Sequence, residues 1–247
     1  MKITKTGLLV VAALALFAAP VLAGDLIQLK TGKWMPTAPA AGENEEPSIE
    51  DLAASQYTVL EENYDVTFYK IKEVPQRQKY DTARIRRVVY GDKPAAFIEA
   101  SDALANGDLA TAIAGFDELA KQKRNPHWVR QYSLYNIGFI YQEGAGDFQN
   151  AILAWDRYEK DFPRGKYLPK VLVSKGLAWL ALGDEAKARS SFGKIERLKG
   201  LPDSAKMKAK YWMIKMSQVK GEKAGRAALI HQALTQYKAL LLETAGR

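Results

Sequence analysis

The chain has no cysteine and only two histidines, His127 and His231, in 247 residues. Without cysteine there is no disulfide, no thiol nucleophile, no zinc–thiolate site and no iron–sulfur cluster held by thiolates. The fold is therefore indifferent to the redox state around it. Two histidines far apart in sequence also argue against an imidazole metal site or a catalytic triad. The hydrophobic fraction is 47% and the charged fraction 26%. That balance excludes a wholly disordered chain and a polytopic membrane protein, and the length allows one or two domains.

Long hydrophobic runs are scarce as well. The run from Gly7 to Ala19 follows Lys2 and Lys5 and precedes Pro20 and the tripeptide Val21-Leu22-Ala23. A basic start, a short apolar run and a small-residue end form the pattern of a secretory signal peptide, residues 1–23, cut after Ala23. The run is shorter than the roughly 18–20 residues a spanning helix needs. The expectation is a periplasmic or secreted chain beginning at Gly24, and with no cysteine at the cut it cannot follow the lipoprotein route.

Charge is uneven. The chain carries +8 overall, with −2 on residues 24–91, +1 on 92–198 and +7 on 199–247. A basic C-terminal end points either to a solvated helix face or to an acidic partner or anionic envelope surface. Export argues against nucleic acid.

Residues 24–91 form a segment unlike the rest. Leu26–Lys30, Tyr57–Leu60, Asp65–Ile71 and Arg84–Tyr90 are rich in β-branched and aromatic residues with partial alternation, which predicts four or five short strands. Pro36 to Ala53, with Pro36, Pro39, Pro47 and the acidic stretch Glu43 to Glu46, reads as a flexible loop, 36–53. A small half-open β module of SH3-like kind fits this pattern.

From Lys93 onward the period is helical, and a repeat emerges. Gly107-Asp108, Gly146-Asp147, Gly183-Asp184 and Gly221-Glu222 mark turns of helical hairpins 37 to 39 residues apart. Glycine takes the left-handed conformation that ends one helix, and an acid favours the start of the next. Five residues after the first three glycines stand Ala112, Ala151 and Ala188. Nine after the four stand Phe116, Trp155, Phe192 and Ile230. Pro126, Pro163 and Pro202 are placed to stop the second helix of three units.

With these residues the chain resembles the tetratricopeptide repeat (TPR) family. The second unit carries the fullest match, through Leu134, Ile137, Gly138, Tyr141, Gly146, Phe148, Ala151, Trp155, Tyr158 and Pro163, with one extra residue in its turn. The third keeps Leu172, Gly176, Trp179, Gly183, Ala188, Phe192 and Ile195 but has Lys175 at an apolar position. The first has Ala96, Ala100 and Ala103 in place of larger groups, and the fourth is degenerate, with Arg226 at a small-residue position. The resemblance covers roughly residues 93–235. Units are expected at about 93–126, 127–163, 167–202 and 203–245, giving a mainly α chain: a TPR-like helical-hairpin solenoid over 93–247 behind the β module.

The resemblance implies peptide binding on the concave surface of the first helices. The stripe there is Tyr132, Tyr135, Phe139 and Gln142 in the second unit, Lys170, Val173, Leu177 and Leu180 in the third, and Lys208, Tyr211, Lys215 and Gln218 in the fourth. Aromatics flanked by lysines suit a protein segment bearing acidic residues or a free carboxylate, and the alternative is that these rings contact the preceding repeat or the β module. No catalytic constellation stands out. His127 reads as a surface or capping residue, and Asp156, Glu159 and Asp161 as a solvated face bridged by Arg157 and Lys160. Gly144-Ala145-Gly146 lacks the Lys-Ser/Thr of a phosphate loop. The expectation is a non-catalytic envelope adaptor with no cofactor and no metal. An envelope-polymer or membrane-surface module acting through the basic C-terminal helices is the alternative, and an enzyme using an unmarked carboxylate pair the third reading.

Overall fold

The computed structural model describes residues 23–35, 46–201 and 203–218. The expected leader, the front of the 36–53 loop, Pro202, the Gly221-Glu222 turn, Ile230 and His231 lie outside the described residues.

The N-terminal region holds two antiparallel three-stranded sheets. In the first, β1 (Leu26–Leu29) lies between β2 (Trp34–Met35) and a late strand formed by Ile85–Val89. In the second, β3 (Tyr57–Glu62), β4 (Val66–Ile71) and β5 (Val74–Asp81) form a meander; the late strand is β6. Ile27, Leu29 and Ile85 of one sheet share a core with Val59 of the other. Leu26, Trp34 and Val89 face the opposite side, where Leu52 covers them, so β1 is buried at all four positions.

Two sequence expectations need correction here. Among the described residues six strands form, not four or five; β2 and β5 lack the hydrophobic alternation by which core strands are read. β5 reads Val-Pro-Gln-Arg-Gln-Lys-Tyr-Asp, pairs on one side only, and is held by Arg77 lying 3.6 Å over the Phe68 ring. The expected loop 36–53 is not loop throughout: Ile49–Ala54 form α1. A capping box starts it, in which Ser48 Oγ accepts the Asp51 N–H at 3.1 Å and Asp51 accepts the Ser48 N–H at 2.9 Å.

Among the described residues seven further helices follow: α2 (Ala95–Ala105), α3 (Leu109–Lys121), α4 (His127–Phe139), α5 (Phe148–Asp161), α6 (Leu168–Ala181), α7 (Glu185–Glu196) and α8 (Asp203–Gln218). Each packs chiefly on its neighbours in sequence. The glycine-acid turns act as read. Gly107, Gly146 and Gly183 have φ of 79°, 65° and 81°, and the Asp108, Asp147 and Asp184 carboxylates accept the N–H groups of Thr111, Asn150 and Lys187 at 3.1, 3.0 and 3.0 Å. The extra residue of the second unit is absorbed by a π-turn, Ile140–Gly144, that ends the α4 rod.

The repeated small and aromatic positions meet in the core. Ala112, Ala151 and Ala188 are buried beside Phe116, Trp155 and Phe192. Gly138 and Gly176 exist for those rings: a Cβ at Gly138 would stand 2.1 Å from Trp155 Nε1, and one at Gly176 2.4 Å from the Phe192 ring.

Pro126 departs from expectation. α3 already ends at Lys121, and Pro126 instead precedes the first turn of α4, where its missing N–H costs nothing. Two of the α5 acids, Asp156 and Glu159, also differ, for they bridge across helices and not along their own. Lys175, 8% exposed, inserts between Asp156 and Glu159, 2.6 Å from the latter. Lys194 joins Glu159, and Arg157 reaches Asp117 on α3 at 2.5 Å. An apolar motif position thus tolerates Lys175 because α5 supplies its counter-charges.

Candidate functional site

The two regions meet through a buried polar clamp centred on Glu62 at the end of β3. Its side chain is 3% exposed. It receives the Lys166 ammonium at 2.6 Å and the Tyr90 hydroxyl, while its main-chain carbonyl accepts from the Lys166 N–H at 3.2 Å and the Gln131 amide at 2.9 Å. Gln131 Oε1 accepts from Tyr158 at 2.7 Å and from the Lys166 N–H at 2.9 Å. The Tyr158 hydroxyl in turn accepts the Tyr167 N–H at 3.0 Å. A bridge between Asn63 and Gly165, and the Arg164–Asp65 ion pair at 2.5 Å, complete the seam. Burial alone would lower the Lys166 pKa; the Glu62 carboxylate outweighs it and holds it above the ordinary lysine value. The β region is thereby fixed against α4 and the start of α6.

His127 belongs to this seam as a packing group. Its ring stands edge-on to Phe162 at 5.0 Å, its Nδ1 lies 2.8 Å from the Gln131 amide, and burial lowers its pKa. Among the described residues no cluster of three or more His, Asp or Glu could hold a metal ion.

From the seam an aromatic run crosses the first helices of the hairpins. Tyr90 stacks on Trp128 at 3.9 Å, Trp128 meets Phe97 at 5.0 Å, Phe97 meets Tyr132 at 5.2 Å, and Tyr132 meets Tyr167 at 6.3 Å. Tyr135 stacks on Tyr167 at 4.8 Å and lies 6.4 Å from Phe139. These contacts sort the expected groove residues. Tyr132 also touches Phe116, so it is largely a joint between hairpins. Leu177 and Val173, 1% and 5% exposed, are core residues and do not face a groove. Gln142 is likewise buried, and the side chain of Gln218 lies outside the described residues. The helical stripe predicted for α6 was rotated inward because α6 is enclosed by both α5 and α7.

What remains at the surface is a rim: Tyr135, Phe139 and Tyr167, half-buried; Leu180, half-buried; Lys170, Lys208 and Tyr211, exposed; and Lys215, half-buried over the Tyr211 ring at 5.7 Å. Although the Lys170 side chain is exposed, protein packed around its ammonium partly shields it from water, and that shielding first, then the ammonium groups of Lys166 and Lys208, lower its pKa. Lys166 is satisfied by Glu62, yet Lys170 and Lys208 form no ion pair among the described residues. The rim is thus short of negative charge. Burial raises the Tyr167 hydroxyl to about 12, which keeps it neutral beside the lysines. Sequence reasoning missed Lys166 and Tyr167 because they precede α6 and so escape a helix-face stripe.

No protein-family model matches this chain, and a search of curated proteins returns no match. Among the described residues no helix is long and apolar enough to cross a membrane.

Proposed function

We propose that the chain is a non-catalytic adaptor of the bacterial cell envelope. Its helical hairpins act as a TPR-type array, with the SH3-like β module as a fixed cap, and hold a protein segment bearing acidic side chains or a free carboxylate. The observation that carries this reading is the pair Lys170 and Lys208, uncompensated by any described carboxylate, with Lys170 one helical turn after Tyr167, which stacks on Tyr135. A carboxylate seated between the two ammonium groups would relieve their mutual repulsion, and the rings would supply apolar contact at small entropic cost. The three described glycine-acid turns and the aromatic residues nine positions after them, Phe116, Trp155 and Phe192, support the family resemblance.

Anisotropy titration of fluorescent acidic peptides, with amidated versions as controls, tests it. Lys170→Glu with Lys208→Glu should weaken binding at least tenfold while leaving the circular dichroism spectrum unchanged. Equal binding by the double variant would refute the site.

A further inference from the structure

α8 is apolar on two opposite faces. One face, with Ala209 and Met216 at 0% and 8% exposure, packs into the helical core. On the other, Met207, Tyr211 and Ile214 are 64%, 44% and 57% exposed. At about 100° per residue these three form a single ridge directly away from the core. The same geometry places Lys206 and Lys210 along one flank and Lys208 and Lys215 along the other. None of the four lysines forms an ion pair with another described side chain, a set that leaves out Asp203 at the start of α8.

We infer that this face of α8 docks on an anionic lipid surface, with Met207, Tyr211 and Ile214 entering the headgroup boundary and the flanking lysines meeting lipid phosphates. An apolar ridge lined on both sides by lysines is the arrangement of a helix lying in a membrane interface: the apolar side chains leave water, and the long lysine stems extend sideways to the headgroups. Charge selects this occupant. The following segment, residues 219–247, carries five basic and two acidic side chains, which adds to the positive charge an anionic surface would meet. A second copy of α8 would set lysine against lysine. An anionic bilayer matches the ridge and both flanks together, and each lysine near such a surface strengthens attachment severalfold. The face shares Tyr211, Lys208 and Lys215 with the peptide rim, whereas Met207, Ile214, Lys206 and Lys210, the residues altered in its test, take no part there.

Vesicle co-sedimentation is the test, using the chain from Gly24 onward, which retains every described element and removes the apolar leader run. Wild type should bind phosphatidylglycerol-containing vesicles at low salt, weaken steeply as salt rises, and bind phosphatidylcholine vesicles at least tenfold less. Met207→Ser with Ile214→Ser should reduce binding about tenfold, and Lys206→Gln with Lys210→Gln should do so while leaving the ridge intact. Thermal melting of each variant checks that the fold persists. Absence of binding to anionic vesicles, or binding unchanged in both double variants, overturns the inference. So does a monomer-to-dimer shift in solution mass that the Met207/Ile214 variant abolishes, since the ridge would then be a contact between copies. Acidic-protein capture through this face without vesicle binding overturns it equally.

Discussion

Asp25 shows how one residue carries an energetic cost for organisation. Its carboxylate, 7% exposed, accepts the Val59 N–H at 2.6 Å and the Gly91 N–H at 3.1 Å, tying β1 to β3 and to the exit from β6. Burial raises its pKa to about 6 against those two hydrogen bonds, with Glu62 and Asp92 adding repulsion. A carboxyl raised in the folded state binds its proton more tightly there than in the unfolded chain. Its contribution to stability is therefore greatest below the unfolded value near 4 and falls as pH rises to 6, by roughly 3 kcal/mol. Carbon-detected titration of the Asp25 carboxyl should give a midpoint near 6; one below 4.5 would contradict this account. The cross-helix acid Glu159 behaves oppositely. Burial, which alone would raise its pKa, is outweighed by Lys175 and Lys194, so its contribution is lost only as pH falls through the acid range. Neither value was legible in the sequence, because both depend on partners distant along the chain.

Elements in this chain divide by whether their stabilising contacts are local. The Gly-Asp turns and the Ser48 cap of α1 close within three or four residues, and such signals can be read directly. The Glu62 clamp joins β3 to Gln131 in α4 and Lys166 before α6, separations of 69 and 104 residues. The strand expected at Tyr57–Leu60 stopped short of Glu61 and Glu62, which end β3, and nothing local marked either as inward-facing. Removing half of a largely buried pair leaves the other charge uncompensated. Glu62→Gln should therefore destabilise the protein by roughly 2–3 kcal/mol, allowing for the part-exposed lysine, as read from the urea midpoint. Adding Lys166→Met should recover part of that loss. A variant with an unchanged midpoint would show that the seam is held by packing alone. Hydrogen exchange near Asn63 and Gly165 should quicken before exchange within α7.

Across the whole molecule, the helices contact chiefly their sequence neighbours, so stability should follow position in the stack. α6 buries every residue from Val171 to Ala178, whereas among its described side chains α8 buries Ala209 and Met216. Amide exchange is expected to be slowest in α4 to α6 and at least tenfold faster in α8. Uniform exchange along the array would argue instead for one cooperative block. The exposed outer ridge of α8 belongs to this scale too, because its lysine flanks acquire a direction only when the core fixes which side of the helix faces outward.

By itself the sequence determined the sequence-local features: the change from strand-rich to helical period near Lys93, the left-handed glycine turns with their aspartate caps, and the alanine and aromatic positions of the hairpin core. Each follows from backbone sterics or helix periodicity within one unit. Only the tertiary structure decided which predicted groove residues are buried, that Lys175 has paired acids, that Lys170 and Lys208 stand together without them, and that Glu62 binds the two regions. Burial and electrostatic environment are sums over neighbours brought in by folding, and the pairs that set them lie up to about a hundred residues apart.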